Sequence, residues 1–141
     1  MQSLIQGVIA AILADGQVAG LLARNQIYIG AAPETVPMPF LTLATATGRS
    51  TQHDFSGNRL TETTVVLTAV GESLPVLLEI ADQLTASLDA ASFPVAAGVL
   101  LGVWQQQAPE PILAGFDAAN DEVYRVVSRF RCLVFAMARQ P

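Results

Sequence analysis

Between Ser73 and Asp89, Leu74, Leu77, Leu78, Ala81, Leu84 and Leu88 recur at helical spacing, while Glu79, Asp82, Gln83 and Asp89 fall away from them. The spacing predicts a helix capped by Ser73, with one apolar stripe that has to be buried against another layer. The flanking segments read as strands. Leu60 to Val70 is dense in β-branched residues, and Val95 to Gln106 reads as a strand with two different faces. Its faces divide as Val95, Ala97, Val99, Leu101 and Val103 against Gly98, Leu100, Gly102 and Trp104. The glycines on the second face predict a place where a helix lies close.

The same reading extends to both ends of the chain. Ser3-Leu4-Ile5-Gln6 has the form of a capping box, and Leu4, Ile5, Val8, Ile9, Ile12 and Leu13 then follow at helical spacing as far as Asp15-Gly16. Val18 to Ala23 continues as a second short turn. Ile27-Tyr28-Ile29 predicts a short strand, and Pro33, Pro37 and Pro39 predict an extended segment after it, since proline donates nothing to a ladder. Phe40 to Thr47 should pair with Leu60 to Val70 as an antiparallel hairpin. Gln107 to Asn120, with its prolines and glycine, reads as a connection, and Glu122 to Ala138 as a long final strand. The predicted order is α-β-β-β-α-β-β. That order describes a single α+β domain over residues 1–141, with a mostly antiparallel sheet and two helices packed on one face.

A chain of 141 residues has room for one core. Here the charge content matters: 13% of residues are charged and 52% hydrophobic, against roughly 25% charged in an ordinary soluble domain. A small domain exposes much of its surface, so part of this surface must be apolar or neutral, which points to protein partners. The apolar runs Val8–Ala14 and Phe93–Trp104, the latter broken by Pro94, Gly98 and Gly102, fall short of the ~20 residues that span a bilayer. Met1-Gln2-Ser3 lacks the basic start of a secretory signal. The expectation is a soluble protein made inside the cell, with no membrane partner. All seven basic residues are arginines and the formal net charge is −5, which disfavours avid wrapping of nucleic acid while leaving room for DNA that merely passes.

No catalytic or cofactor set emerges. The only histidine, His53, sits beside Ser50, Asp54 and Ser56 in one polar segment, and adjacent loop residues rarely form a nucleophile-base-acid geometry. His53 and the lone Cys132 are far apart and make no metal cluster, and no phosphate loop or nucleophile elbow is present. Cys132, within a strand-forming run, reads as a small core hydrophobe. The reading is a protein that is not an enzyme, with catalytic, cofactor and metal residues all set at none. Two features remain as interaction candidates. The first is the polar segment Gly48 to Arg59, too long for a plain hairpin turn, from which Arg49, Gln52, His53, Asp54, Phe55, Asn58 and Arg59 are candidates for contacting a neighbour. The second is a basic row, Arg125, Arg129 and Arg131, which share one strand parity and span about 20 Å, opposite Tyr124, Val126, Phe130, Cys132 and Val134. Ion pairing within or between subunits is the favoured use of that row over DNA phosphate contact. Trp104 reads as a packing residue.

The arrangement carries a resemblance. Asp15-Gly16-Gln17-Val18-Ala19-Gly20-Leu21-Leu22 closes the first helix, and Gln26-Ile27-Tyr28 enters the first strand. After a proline spacer, Pro37-Met38-Pro39-Phe40-Leu41-Thr42-Leu43 enters the second. The loop with His53, the strand Thr61 to Val70 and the helix segment Glu79-Ile80-Ala81-Asp82-Gln83-Leu84 follow in order. Over nearly the whole chain this is similar to the bacteriophage tail completion family, also called tail terminators or head-tail joining proteins. The resemblance implies a structural virion protein made in the host cytoplasm, forming a homo-hexameric ring that caps the tail tube protein and joins the tail to the head connector. DNA would pass through the lumen without sequence-specific binding. The other readings are a further neck or tail component, such as a head-completion stopper or minor tube protein, and a small domain with a ligand pocket beneath Trp104.

Overall fold

A computed structural model describes residues 2–24, 26–33, 36–46, 50–53, 57–89, 93, 95 and 98–136, with the side chains of residues 2, 3, 15 and 50–53 outside that description. In chain order the elements are α1 (Gln2–Asp15), α2 (Gln17–Leu21), β1 (Ile27–Ile29), β2 (Phe40–Thr45), β3 (Ser50–His53), β4 (Arg59–Gly71), α3 (Leu74–Leu88), β5 (Val99–Phe116) and β6 (Glu122–Ala136). The six strands form one sheet in the order β1-β2-β4-β6-β5, with β3 beside β4 in line after β2. Among the described residues β1 and β2 run parallel and the other strand pairs are antiparallel.

Strand periodicity sorts the side chains. Thr63, Val65, Leu67 and Ala69 of β4 are buried, and their β6 partners are Cys132, Phe130, Ser128 and Val126. Leu41 and Leu43 of β2 stand opposite Ala69 and Leu67 on the same face. Leu4, Val8 and Ile12 of α1 and Leu77, Ile80, Ala81, Leu84 and Leu88 of α3 close over this face and complete one hydrophobic cluster. The architecture is the predicted α+β one. Gly16, at φ +74°, takes a left-handed turn that separates α1 from α2, so the short second turn is a helix in its own right.

Several local expectations change. The helix α1 begins at Gln2, so Ser3 lies inside it rather than ahead of it, and the Ser3 side chain is outside the described residues. Ser73 is the N-cap of α3 but makes no side-chain cap hydrogen bond; its carbonyl accepts from the Leu77 amide at 3.1 Å. On α3, Leu78 is exposed and Ile80 takes the buried place, because the stripe follows Leu77-Ile80/Ala81-Leu84-Leu88. The polar segment after Thr47 contains the strand β3, whose backbone pairs antiparallel with Arg59–Glu62.

The largest change concerns β5, which continues to Phe116 through the stretch expected to be a connection. Pro109 and Pro111 are tolerated because β5 is the last strand of the sheet and needs a ladder on one side only. Irregularities between Leu100 and Gly102, and again between Gln105 and Glu110, shift the register against β6. The first shift overturns the face assignment: Leu100 and Val103 are buried together, while Val99 and Leu101 are exposed. The glycines also do other work than admitting a helix. A Cβ on Gly102 would lie 2.5 Å from the Trp104 ring, and one on Gly98 would overlap the Phe135 carbonyl oxygen.

Cys132 is fully buried, and desolvation pushes its thiol up to about 11. The neutral thiol is favoured in the folded chain, so its stabilising contribution is present below the ordinary thiol range and lost as pH rises toward that value. A chromogenic disulfide reagent at pH 8 should leave the native protein unlabelled over minutes and titrate one thiol after denaturation. Rapid native labelling would contradict the burial.

Candidate interaction surface

The sheet has two ends. At one, β1 has β2 on a single side; at the other, β5 has β6 on a single side. Edge strands usually carry lysines or inward charges that discourage pairing with another chain. This sequence has no lysine, and over Val99–Ala108 the edge strand β5 has no charged residue at all. Of the seven large hydrophobic residues exposed among those described, Val99, Leu101, Trp104, Leu113 and Phe116 belong to β5, and Ile29, 60% exposed, belongs to β1. Apolar residues therefore gather on the unpaired edges. Leu78 of α3 is the seventh.

Where β5 meets α3 there is an open cleft of about 420 Å³ lined by Asp82, Thr85, Gln105, Gln107, Ala108 and Pro109. Asp89, at the end of α3, accepts the Gln105 amide at 3.1 Å and so ties helix to strand. The other end of the sheet is cationic: Arg24, exposed between α2 and β1, has no acidic partner among the described residues.

The face of the sheet turned away from the helices carries the basic row. Arg125, Arg129 and Arg131 stand opposite Val70, Val66 and Thr64, which confirms their shared parity. Arg131 is satisfied locally: its Nε lies 3.7 Å from Glu62 Oε1, and its guanidinium sits 5.6 Å from the centre of the Trp104 ring. Arg125 and Arg129 have no acidic partner among the described residues, and Nη1 of Arg129 is buried without a hydrogen-bond partner. The row is thus one paired arginine and two without an acidic partner among the described residues, of which Arg125 is exposed and Arg129 half-buried.

The candidate loop is only partly in view. Gln52 and His53 belong to β3, His53 stands opposite Arg59 in the register, and Arg59 is exposed. Arg49, Asp54 and Phe55 are outside the described residues, as are the side chains of Gln52 and His53, and Ser56 with Asp54 of the weighed catalytic grouping. The hollow beside Trp104, bounded by Gln105, Gln106 and Arg131, measures about 210 Å³, below the ~300 Å³ at which small-molecule pockets begin.

Sequence reasoning did not anticipate one acidic group. Glu72, Asp117 and Asp121 bring carboxylate oxygens within 4.8 Å of one another at the β5–β6 turn. Asp117 accepts the amides of Ala119 and Asp121, both at 2.9 Å, and so closes the turn. Its hydrogen bond with Glu72 and these amides hold Asp117 below its ordinary value, and the same side-chain bond raises Glu72 above its own. The apolar edge was also missed as a surface, although its signal was present: Val99, Leu101 and Trp104 cannot all face one core.

The sequence matches the family model of the tail completion protein gp17 over residues 6–134. The fold is similar to a chain from the virion of a native gene transfer agent particle, with a TM-score of 0.75 and 16% identity over 93% of each chain. Curated protein sequences give no match.

Proposed function

Because the chain belongs to the tail completion protein gp17 family and is thus a structural component of a phage-type tail or neck, we propose that its copies close the end of the tail tube as a ring. The ring stops addition of tube subunits and presents its far side to the head connector, acting by assembly and not by catalysis. The observation that carries this reading is the concentration of exposed apolar side chains on the edge strand β5, with Ile29 exposed on β1 at the other end of the sheet. A monomer in solution gains nothing from such edges, whereas a head-to-tail ring requires two different surfaces on each copy.

In this reading the polar segment Gly48 to Arg59 contacts the tube or the neighbouring copy, with Gln52 and His53 in β3 and Arg59 at the start of β4. Arg125 and Arg129 are available to carboxylates of an adjacent copy or to the backbone of passing DNA, without reading its sequence. No helix among the described residues is long and apolar enough to cross a membrane.

Tube protein that is elongating should stop at fixed lengths when this chain is added, and removal of residues 54–57 should restore unlimited growth while the isolated variant stays folded. Normal arrest by that variant would remove those residues from the contact. Continued growth with the full chain would contradict the capping role.

A further inference from the structure

The ring reading says that two surfaces must meet; the structure goes further and points to which two. This inference rests on that reading. We infer that a second copy of this chain docks edge to edge, with the β1 end of one copy laid along Val99–Ala108 of β5 of the next, and Arg24 entering the cleft that holds Asp82.

Three observations converge on this pairing. The first is backbone supply: β1 and β5 are the two ends of the strand order, each with a neighbouring strand on one side only among the described residues, and of the β5 stretch the Gln105 amide is taken by Asp89. Pro109 and Pro111 offer no amide to an added strand, which directs pairing to the part of β5 before them. The second is apolar surface on both partners, with Ile29 60% exposed on β1 and Val99 59% and Leu101 54% exposed on β5. The third is charge. The exposed Arg24 beside β1 lacks an acidic partner, and the cleft beside β5 presents Asp82, also exposed and without an ion pair among the described residues. Asp89, already bonded to the Gln105 amide, adds negative charge nearby. The helices lie on one face of the sheet, so joining the two edges keeps the helical layers on one side and brings the α2–β1 junction of one copy toward α3 of the next. The contact is heterologous, since neither edge meets its own kind, and repetition closes a ring or extends a filament according to the angle between copies.

The test is a charge exchange. R24D and D82R are compared with the double variant R24D/D82R, reading mass against concentration in solution and capping of tube ends by electron microscopy. Each single change should weaken assembly by at least about tenfold, because it sets like charges against each other at the joint. The double change should return it to within a few-fold of the original chain. L101K, which puts a lysine on the edge itself, should weaken assembly without rescue by either charge variant. All three sites are exposed, so melting curves should match the unaltered protein. Single variants that assemble normally would overturn the edge pairing while leaving the ring intact, and weakened singles without rescue in the double would overturn the Arg24–Asp82 contact. A wild-type chain that never assembles, alone or on tubes, would overturn the pairing and the ring reading together.

Discussion

Replacing Phe130 with alanine is expected to cost about 3–5 kcal/mol, the range for removing a buried aromatic ring from a core that relaxes only in part. Phe130 heads the largest side chains that are fully buried. It stands on β6, an interior strand, opposite Val65 of β4 and Gln105 of β5. Its ring belongs to the one buried cluster that the sheet and the helices α1 and α3 share, so its removal leaves a hole in that core. For a domain of this size the loss corresponds to a fall in melting temperature on the order of 10–20 °C. A shift of only a few degrees in calorimetry or denaturant unfolding would show that the core reorganises around the hole.

The second large effect comes from adding one carbon. Gly98 precedes β5 and lies so close to the end of β6 that a Cβ would overlap the Phe135 carbonyl oxygen, with the Ala136 Cα at 3.2 Å. The obstacle is backbone already committed to the β4–β6 and β5–β6 ladders, which cannot swing aside as a side-chain end can. Gly98→Ala should therefore cost roughly 1–3 kcal/mol through forced separation of the strands. Gly20 supplies the control. It lies within α2, its φ is not in the left-handed region, and a Cβ there meets nothing within 4 Å, so Gly20→Ala should be neutral or stabilise by up to about 1 kcal/mol. Equal effects from the two alanines would mean that the close approach of β5 to β6 does not limit the fold.

These residues also show which parts of the molecule can be read without coordinates. Helix α3 was legible because Leu77, Leu84 and Leu88 repeat at a period only a helix satisfies, and the basic row because Arg125, Arg129 and Arg131 share the period of a strand. What failed did so where pairing overrides local preference. Ser50-Thr51-Gln52-His53 has no apolar alternation, and it is a strand because β4, at 13 residues, offers a ladder longer than β2 can use. Pro109 and Pro111 look like interruptions, yet a strand with one neighbour can accommodate them. The bulge at Leu101 exchanges the faces of β5, and nothing short of the register with β6 reveals it. The same reason hid the candidate docking surface. Val99, Leu101 and Ile29 look like core residues until the order of strands shows that they lie at the two ends of the sheet.

The basic row illustrates a related limit. Its geometry followed from parity, but its division into one paired arginine and two without an acidic partner among the described residues depends on Glu62 and Trp104, which are distant in sequence and adjacent across strands. Charge content was the better guide to function. A chain with 13% charged residues cannot cover its edges with them, and β5 is where the shortfall becomes visible.

The most direct measurement is electron microscopy of tail tubes with and without the purified chain, with the mass of the free protein followed over a concentration series. The account predicts a single ring at tube ends, or free rings of one size, and no long stacks of the chain by itself. Filaments of the chain alone would make it a tube component, and a monomer that leaves tube ends bare would contradict the capping role.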